Sequence, residues 1–161
     1  MAVHESDRED LMREATALRR RGELFVPGEA ETVIAGFRGD DRISIFFGPD
    51  PAYHFDAEGR LWRSFCGGEL YRSQGSTLAR LTRHREPGAS SLLRHDLTGG
   101  ELEDFLQAMR SRLQRVAEQL AAGQAKFLRQ IPDDWHAVEE LSAALDRILT
   151  SDAPLAPAVK P

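Results

Sequence analysis

Arg63 and Arg72 are the two residues whose types and spacing most clearly suggest chemistry. The Gly67-Gly68 pair between them is typical of a two-residue β-hairpin turn, and a hairpin closed there places Arg63 opposite Arg72. Like charges directly across a sheet are destabilising, so we expect a negative group between them. Two guanidinium forks suit either a carboxylate from elsewhere in the chain or a bound anion such as phosphate.

Tyr53 joins this predicted site through the preceding turn. The sequence from Asp56 to Gly59 has Asp and Gly at the positions that a tight turn favours. A turn closed there aligns Phe55 with Leu61 and places Tyr53 opposite Arg63. The sequence therefore predicts that the phenol and the arginines lie on the same side of the sheet.

Arg83 joins the site through a third, weaker turn at Gln74-Gly75, which places Arg72 opposite Thr77. Because successive strand residues point to opposite faces, the three turns together sort the residues of the meander into two sides. One side is mostly apolar, with the three arginines among its members: Tyr53, Phe55, Leu61, Arg63, Phe65, Leu70, Arg72, Ala79, Leu81 and Arg83.

The opposite side of the predicted meander carries His54, Trp62, Cys66 and Tyr71, with Arg80 beside them. Aromatic residues next to arginine on an exposed sheet can stack nucleic-acid bases. They can equally lie beneath a flanking helix, and we favour burial because the helices of the chain each need a surface to cover.

Catalytic and cofactor motifs are missing from the sequence. It contains no phosphate-binding glycine loop, no nucleophile elbow and no helical histidine pair. The single cysteine, Cys66, excludes a cysteine-rich zinc site and an intramolecular disulfide, and His54 lies far from it along the predicted strands. We therefore expect no metal and no cofactor, and we favour a protein that is not an enzyme.

Composition and charge favour one ordinary globular domain. The chain has 161 residues and a net charge of −5, which argues against a general binder of nucleic acid or anionic membranes. Charge is uneven: residues 23–59 hold two arginines against eight acids, and residues 60–95 hold seven arginines against two acids. We expect the acidic early strands to pair with the basic later strands. With no long apolar run and no signal peptide, the expected location is the cytoplasm.

Periodicity predicts an α+β domain over residues 1–149: a helix at Ser6–Arg21, a mostly antiparallel meander of about seven strands, a long amphipathic helix and a shorter helix. Two segments, 31–38 and 42–47, form a hairpin about Gly39-Asp40-Asp41 that aligns Val33, Ala35 and Phe37 with Phe47, Ile45 and Ile43, and Lys126–Ile131 is an extended link. Residues 150–161, rich in Pro and Ala, are predicted to be a disordered tail. Strands closed by one helix resemble pleckstrin-homology-like domains in architecture, from which the extra helices depart, and this likeness implies no function.

These observations lead to two functional hypotheses. The first is a non-catalytic interaction domain that binds a protein partner through an exposed sheet face or helix. The second is a binder of a small anionic ligand or nucleic-acid phosphate, held by Arg63 and Arg72 with Arg83 and Tyr53 beside them.

Overall fold

The computed structural model describes residues 20–28, 33–37, 43–48, 50–83, 92–129 and 134–157. In this part of the chain nine strands form one antiparallel sheet. The strands are β1 (Arg20–Phe25), β2 (Val33–Phe37), β3 (Ile43–Phe47), β4 (Ala52–Phe55), β5 (Leu61–Cys66), β6 (Glu69–Gln74), β7 (Thr77–Arg83), β8 (Leu92–Leu97) and β9 (Lys126–Arg129). The two described helices are α1 (Gly99–Ala121) and α2 (Asp134–Thr150). The fold is therefore α+β, as predicted.

The strand order is β8-β7-β6-β5-β4-β3-β2-β1-β9, so the first eight strands form a simple meander. The acidic early strands and the basic later strands consequently occupy opposite halves of the sheet, and they meet only where β4 pairs with β5. The expectation that they pair with each other throughout was wrong, because a meander places each strand beside its neighbours in sequence.

Both ends of the meander differ from the prediction. The predicted helix at Ser6–Arg21 lies outside the described residues except at its end, where Arg20 and Arg21 belong to β1 and pair with Phe37 and Gly36. The predicted link at 126–131 contains β9, which returns after α1 to pair with the free edge of β1. Four residues are too few for a periodic signal, so the partner strand decides their conformation.

The hairpin of β2 and β3 is confirmed residue by residue. Val33 pairs with Phe47, Ala35 with Ile45, and Phe37 with Ile43. Apolar residues occupy every second position of both strands on this face, and a slip of one residue would move this set to the other face.

A bulge between β4 and β5 changes the predicted faces. Phe55 pairs with Leu61 as predicted, but the register shifts after this pair, so that His54 faces Arg63 and Tyr53 faces Ser64. The extra residue is Trp62, and a bulge of this kind reverses the side on which all later residues lie. The predicted single apolar side is therefore divided between two faces of the sheet.

The turn between β6 and β7 lies one residue later than predicted. Gln74 pairs with Thr77, so Arg72 faces Ala79 rather than Thr77. The turn is formed by Gly75, whose φ of 64° requires glycine, together with the residue after it. A turn that is one residue later displaces the pairing of β7 with β6 by two residues. Because side chains alternate with a period of two, every residue of β7 stays on its predicted side relative to β6.

The helices follow the apolar periodicity of their sequences. α1 buries Leu106, Met109, Leu113 and Val116, and α2 buries Leu141, Ala144, Leu145 and Ile148. Thr98 is the N-cap residue of α1 but its side chain makes no capping bond. Neither described helix is long and apolar enough to cross a membrane.

We call the side of the sheet on which both helices pack the helix face. Its buried sheet residues form one cluster with the helices and come from every strand from β1 to β8: Leu24, Val33, Ala35, Ile43, Ile45, Phe47, Tyr53, Phe55, Leu61, Tyr71, Leu78 and Leu97. The main hydrophobic core therefore lies between the sheet and α1 and α2.

We call the other side the arginine face, and it consists of two parallel rows that run across the strands. The apolar row is Ile34, Phe46, Ala52, Phe65, Leu70 and Leu81, which are neighbours in the register and form a second buried cluster. The polar row lies beside it and consists of Ser44, His54, Arg63, Arg72, Ala79 and Asp96. No residue of the described helices belongs to the apolar cluster of this face.

The segment after α2 packs on β5, whereas the sequence predicted disorder from residue 150 onwards. Leu155 forms a parallel bridge with Leu61. The Leu61 N–H donates to the Pro154 carbonyl at 2.7 Å, and the Leu61 carbonyl accepts from the Ala156 N–H at 2.8 Å. Both backbone hydrogen-bonding groups of Leu61 are thus paired with this segment, immediately next to the bulge at Trp62.

Candidate functional site

The structure confirms that Arg63 lies directly opposite Arg72. Both arginines belong to the polar row, with His54 next to Arg63 on β4. Arg63 is 5% exposed and His54 is fully buried, while Arg72 is half-buried. The predicted pair is therefore a feature of a largely covered surface, and Arg72 is the more accessible of the two guanidinium groups.

Aromatic rings position the buried member of this pair. The Arg63 guanidinium carbon lies 4.6 Å from the centre of the Trp62 ring, a cation–π contact. The Trp62 ring in turn lies 4.5 Å from the His54 ring. Trp62 and Arg63 both lie opposite His54 because of the bulge, which brings these three side chains together.

Tyr53 lies apart from the arginine pair, on the helix face. Its hydroxyl accepts a hydrogen bond of 2.7 Å from Nη1 of Arg112 on α1. Burial raises the pKa of Tyr53 far above its ordinary value, although Arg112 opposes this. The predicted pairing of Tyr53 with Arg63 was wrong, because the bulge at Trp62 shifts the register by one residue and Tyr53 faces Ser64.

Arg83 lies at the end of β7 and pairs with Leu92. Ala79 is the residue of β7 that faces Arg72, so Arg83 lies four residues further along the strand. Its backbone is about 13 Å away from the arginine pair at the ordinary rise of a strand. The register therefore separates it from the pair of Arg63 and Arg72.

Cys66 lies on the helix face with Tyr53, Arg112 and Asp50 near it. Burial raises the pKa of the Cys66 thiol, with Asp50 adding to this effect and Arg112 opposing it. Both carboxylate oxygens of Asp50 accept hydrogen bonds from backbone N–H groups of the turn between β5 and β6, from Gly67 at 2.9 Å and from Gly68 at 2.6 Å. A neutral thiol beside a carboxylate is a poor nucleophile.

A nucleophile made of Cys66 and His54 is excluded by the faces on which they lie. The sequence placed both on one side, but the bulge leaves His54 on the arginine face and Cys66 on the helix face. Tyr71, predicted to share a side with Trp62, lies beneath α1 instead, with its ring 4.8 Å from that of Phe105. The prediction of burial beneath a helix is confirmed for Tyr71.

A groove of about 450 Å³ runs along α1 beside the end of α2. Six of its seven lining residues are polar or charged, although about half of the lining surface is apolar. The lining residues are Gln107, Arg110, Ser111, Gln114, Arg115, Glu118 and Leu149. Sequence reasoning missed this groove. The residues of α1 that line it show only an ordinary polar helix surface in the sequence, and the concave shape arises when α2 packs alongside.

Within the described residues, no group of three or more His, Cys, Asp or Glu side chains is arranged to hold a metal ion. Comparison with known proteins yields no match: no family model, no curated protein and no solved structure is significantly similar to the chain.

Proposed function

We propose that this protein is a non-catalytic interaction domain that binds a protein partner through the groove along α1. The observation that carries the proposal is the composition of the groove, in which six of the seven lining residues are polar or charged. Sites for small organic ligands are mostly lined by apolar residues, whereas the rim of a protein interface is polar and solvent-accessible.

The charges of the groove favour an acidic partner segment. Arg110 and Arg115 supply two guanidinium groups against the single carboxylate of Glu118. That carboxylate accepts a hydrogen bond of 3.1 Å from Gln114 Nε2, which directs it along the helix. Carboxylates of a partner would bind the Arg110 guanidinium group, and Leu149 offers an apolar contact at the edge of the groove.

The reactive side chains near the main core support a role without catalysis. The Tyr53 hydroxyl is bound to Arg112, the Asp50 carboxylate is bound to the turn at Gly67 and Gly68, and the pKa of Cys66 is raised. Each of these groups stabilises the fold in a form that is unsuited to attack on a substrate.

Site-specific photo-crosslinking in cells tests this proposal. A photoreactive residue at Ser111 or Gln114 is expected to yield a discrete crosslinked protein, and the same residue at the exposed control position Gln124 is not. Arg110→Glu is expected to abolish the crosslink without changing the melting temperature. Crosslinking that is equal at all three positions, or that is insensitive to Arg110→Glu, would rule the groove out.

A second candidate function is the binding of a small anion or nucleic-acid phosphate at Arg63 and Arg72. The observation that favours it is the cross-strand pairing of Arg63 and Arg72, of which Arg72 is the less buried. A ligand that binds only the folded state raises the melting temperature. Phosphate, citrate, nucleotides and short oligonucleotides are the probes.

The matched variants for the anion test are Arg72→Gln and Arg80→Gln. Arg80 lies on the adjacent strand, where it faces Tyr71 on the helix face, so its removal changes the same charge on the other side of the sheet. The second candidate requires a shift that Arg72→Gln abolishes and Arg80→Gln preserves. An absence of any shift in the wild type would remove this candidate.

A further inference from the structure

β8 forms one end of the sheet and has an open outer edge among the described residues. It pairs with β7 over six consecutive residues, from Leu92 opposite Arg83 to Leu97 opposite Leu78, without a bulge. The strand order places no described strand on its other side. Such an edge presents a row of backbone N–H and C=O groups that another strand can pair with.

Natural edge strands are often protected by charged side chains, proline or a bulge. β8 contains no proline and no bulge, and its charged side chains offset each other. The opposite charges are two residues apart: Arg94 Nε lies 2.9 Å from Asp96 Oδ1, and both side chains are about half exposed, at 49% and 46%. Leu93 beside them is a large apolar side chain that is 47% exposed.

This pattern is complementary to itself. When two identical antiparallel strands are related by a two-fold axis, the sequence numbers of the two residues in each facing pair add up to the same value. Alternate residues of β8 direct their backbone groups away from β7, and a regular ladder forms only when these residues face the same set on the other strand. One residue of β8 must therefore face its own copy across the two-fold axis, and we name each possible position of the axis by that residue.

Four positions of the axis lie near the middle of β8, and charge distinguishes them. An axis at Leu93 places Arg94 opposite Leu92 and pairs no charges. An axis at Arg94 places this arginine opposite its own copy, and an axis at Asp96 does the same with two carboxylates. An axis at His95 places each Arg94 opposite an Asp96, twice in the pair. Opposite charges across a sheet are stabilising and like charges are destabilising, so only the axis at His95 is favourable.

We propose that two copies of this chain associate through β8, antiparallel, with His95 opposite His95 of the partner subunit. The two sheets then continue into each other, and each Arg94 exchanges its contact within the strand for one with the partner subunit's Asp96. This surface is separate from the groove along α1, and the inference does not depend on the proposed function.

Two charge-reversal variants of the full chain test this association by analytical ultracentrifugation over a range of concentrations. The wild type is expected to dimerise. Arg94→Asp places carboxylates opposite each other and Asp96→Arg places guanidinium groups opposite each other, so each variant alone is expected to be monomeric. An equal mixture of the two is expected to form a heterodimer, because every facing pair is then of opposite charge.

The outcomes that overturn the proposal are a wild type that is monomeric at all concentrations, a dimer that both variants retain, and variants that remain monomeric when mixed. Circular dichroism of each variant establishes that it is folded, and the positions are exposed enough to tolerate the change. The register has its own test: in a Cys66→Ser background, His95→Cys is expected to form an intermolecular disulfide, and Gln124→Cys is the control.

Discussion

The two faces of the sheet are both buried but use different chemistry. The helix face joins an extended apolar cluster to α1 and α2, and burial there raises the pKa values of Tyr53, Cys66 and Tyr71, which favours their neutral forms. The arginine face has one row of apolar residues and, beside it, a row that contains Arg63 and Arg72. A single sheet thus presents an ordinary core on one side and buried charge on the other.

The physical cost of these two arrangements differs. Apolar burial is favourable in proportion to the area removed from water, and it needs no specific partner. A buried guanidinium group loses its hydration and is stable only when its surroundings compensate, as the Trp62 ring does in part for Arg63. We therefore expect the helix face to dominate stability and the arginine face to contribute more to specificity.

Leucine truncations on the two faces should give the largest effects. Leu78 on the helix face and Leu70 on the arginine face are both fully buried and lie on adjacent strands. We expect Leu78→Ala to cost about 3–5 kcal/mol of unfolding free energy and Leu70→Ala about 2–3 kcal/mol, because the cluster around Leu70 is smaller. Chemical denaturation measures both, and a larger cost for Leu70→Ala would reverse the comparison.

Glycine substitutions test how closely the helix face packs. Gly59 has a φ of 83°, and a Cβ there would lie 3.1 Å from backbone atoms of α2. Gly67 has a φ of 65° and open space around it. Gly59→Ala should therefore cost about 2–3 kcal/mol, against about 1 kcal/mol for Gly67→Ala, which has only the backbone strain. Equal losses in thermal unfolding would mean that α2 does not rest on this turn.

Tyr53→Phe tests how the buried Tyr53 hydroxyl makes the stability of the protein depend on pH. Removal of the hydroxyl deletes the hydrogen bond from Arg112 and should cost about 1 kcal/mol at neutral pH. A raised pKa contributes stability that is present below the ordinary value of 10.0 and lost as pH rises through the folded value. Denaturation at about pH 8 and about pH 11 should therefore show a smaller alkaline loss in the variant. An unchanged slope would contradict this assignment.

The reactivity of Cys66 gives the smallest expected effect. Because burial raises its pKa, the folded protein should react with a thiol reagent at neutral pH more slowly than the unfolded protein. Arg112→Met should slow the reaction further, since Arg112 favours the thiolate. A mass-spectrometric time course measures the rates, and a folded rate equal to the unfolded rate would show that the thiol is accessible and unshifted.

Sequence reasoning succeeded where short-range signals decide the structure. The Gly67-Gly68 turn alone placed Arg63 opposite Arg72, and the predicted turn at Gly39-Asp40-Asp41 aligned Val33 with Phe47. The spacing of Leu106, Met109 and the later apolar residues fixed α1. In each of these elements the partners are close in sequence, or the periodicity is long enough to be unambiguous.

It failed at the site where an extra residue enters a strand. Tyr53 was placed with Arg63, and Cys66 with His54, because nothing in the sequence marks Trp62 as the extra residue. Even the turn at Asp56–Gly59 was placed correctly, with Asp56 N–H donating to the Arg60 carbonyl at 2.9 Å. The error arose one residue beyond the turn and affected the facing of every later strand relative to the earlier ones.

By itself, the sequence determined most of the hairpin pairs and their turns and the two described helices, because glycine conformation and apolar periodicity act within a few residues. The tertiary structure decided which face each side chain occupies, that β9 joins β1, and that α1 and α2 enclose a groove. Leu61 shows the reason. Its N–H and its carbonyl form hydrogen bonds with residues 154 and 156, more than ninety positions away in the sequence. Leu61 lies next to the bulge that reverses the side on which the later side chains lie. Contacts of that range leave no local pattern in the chain.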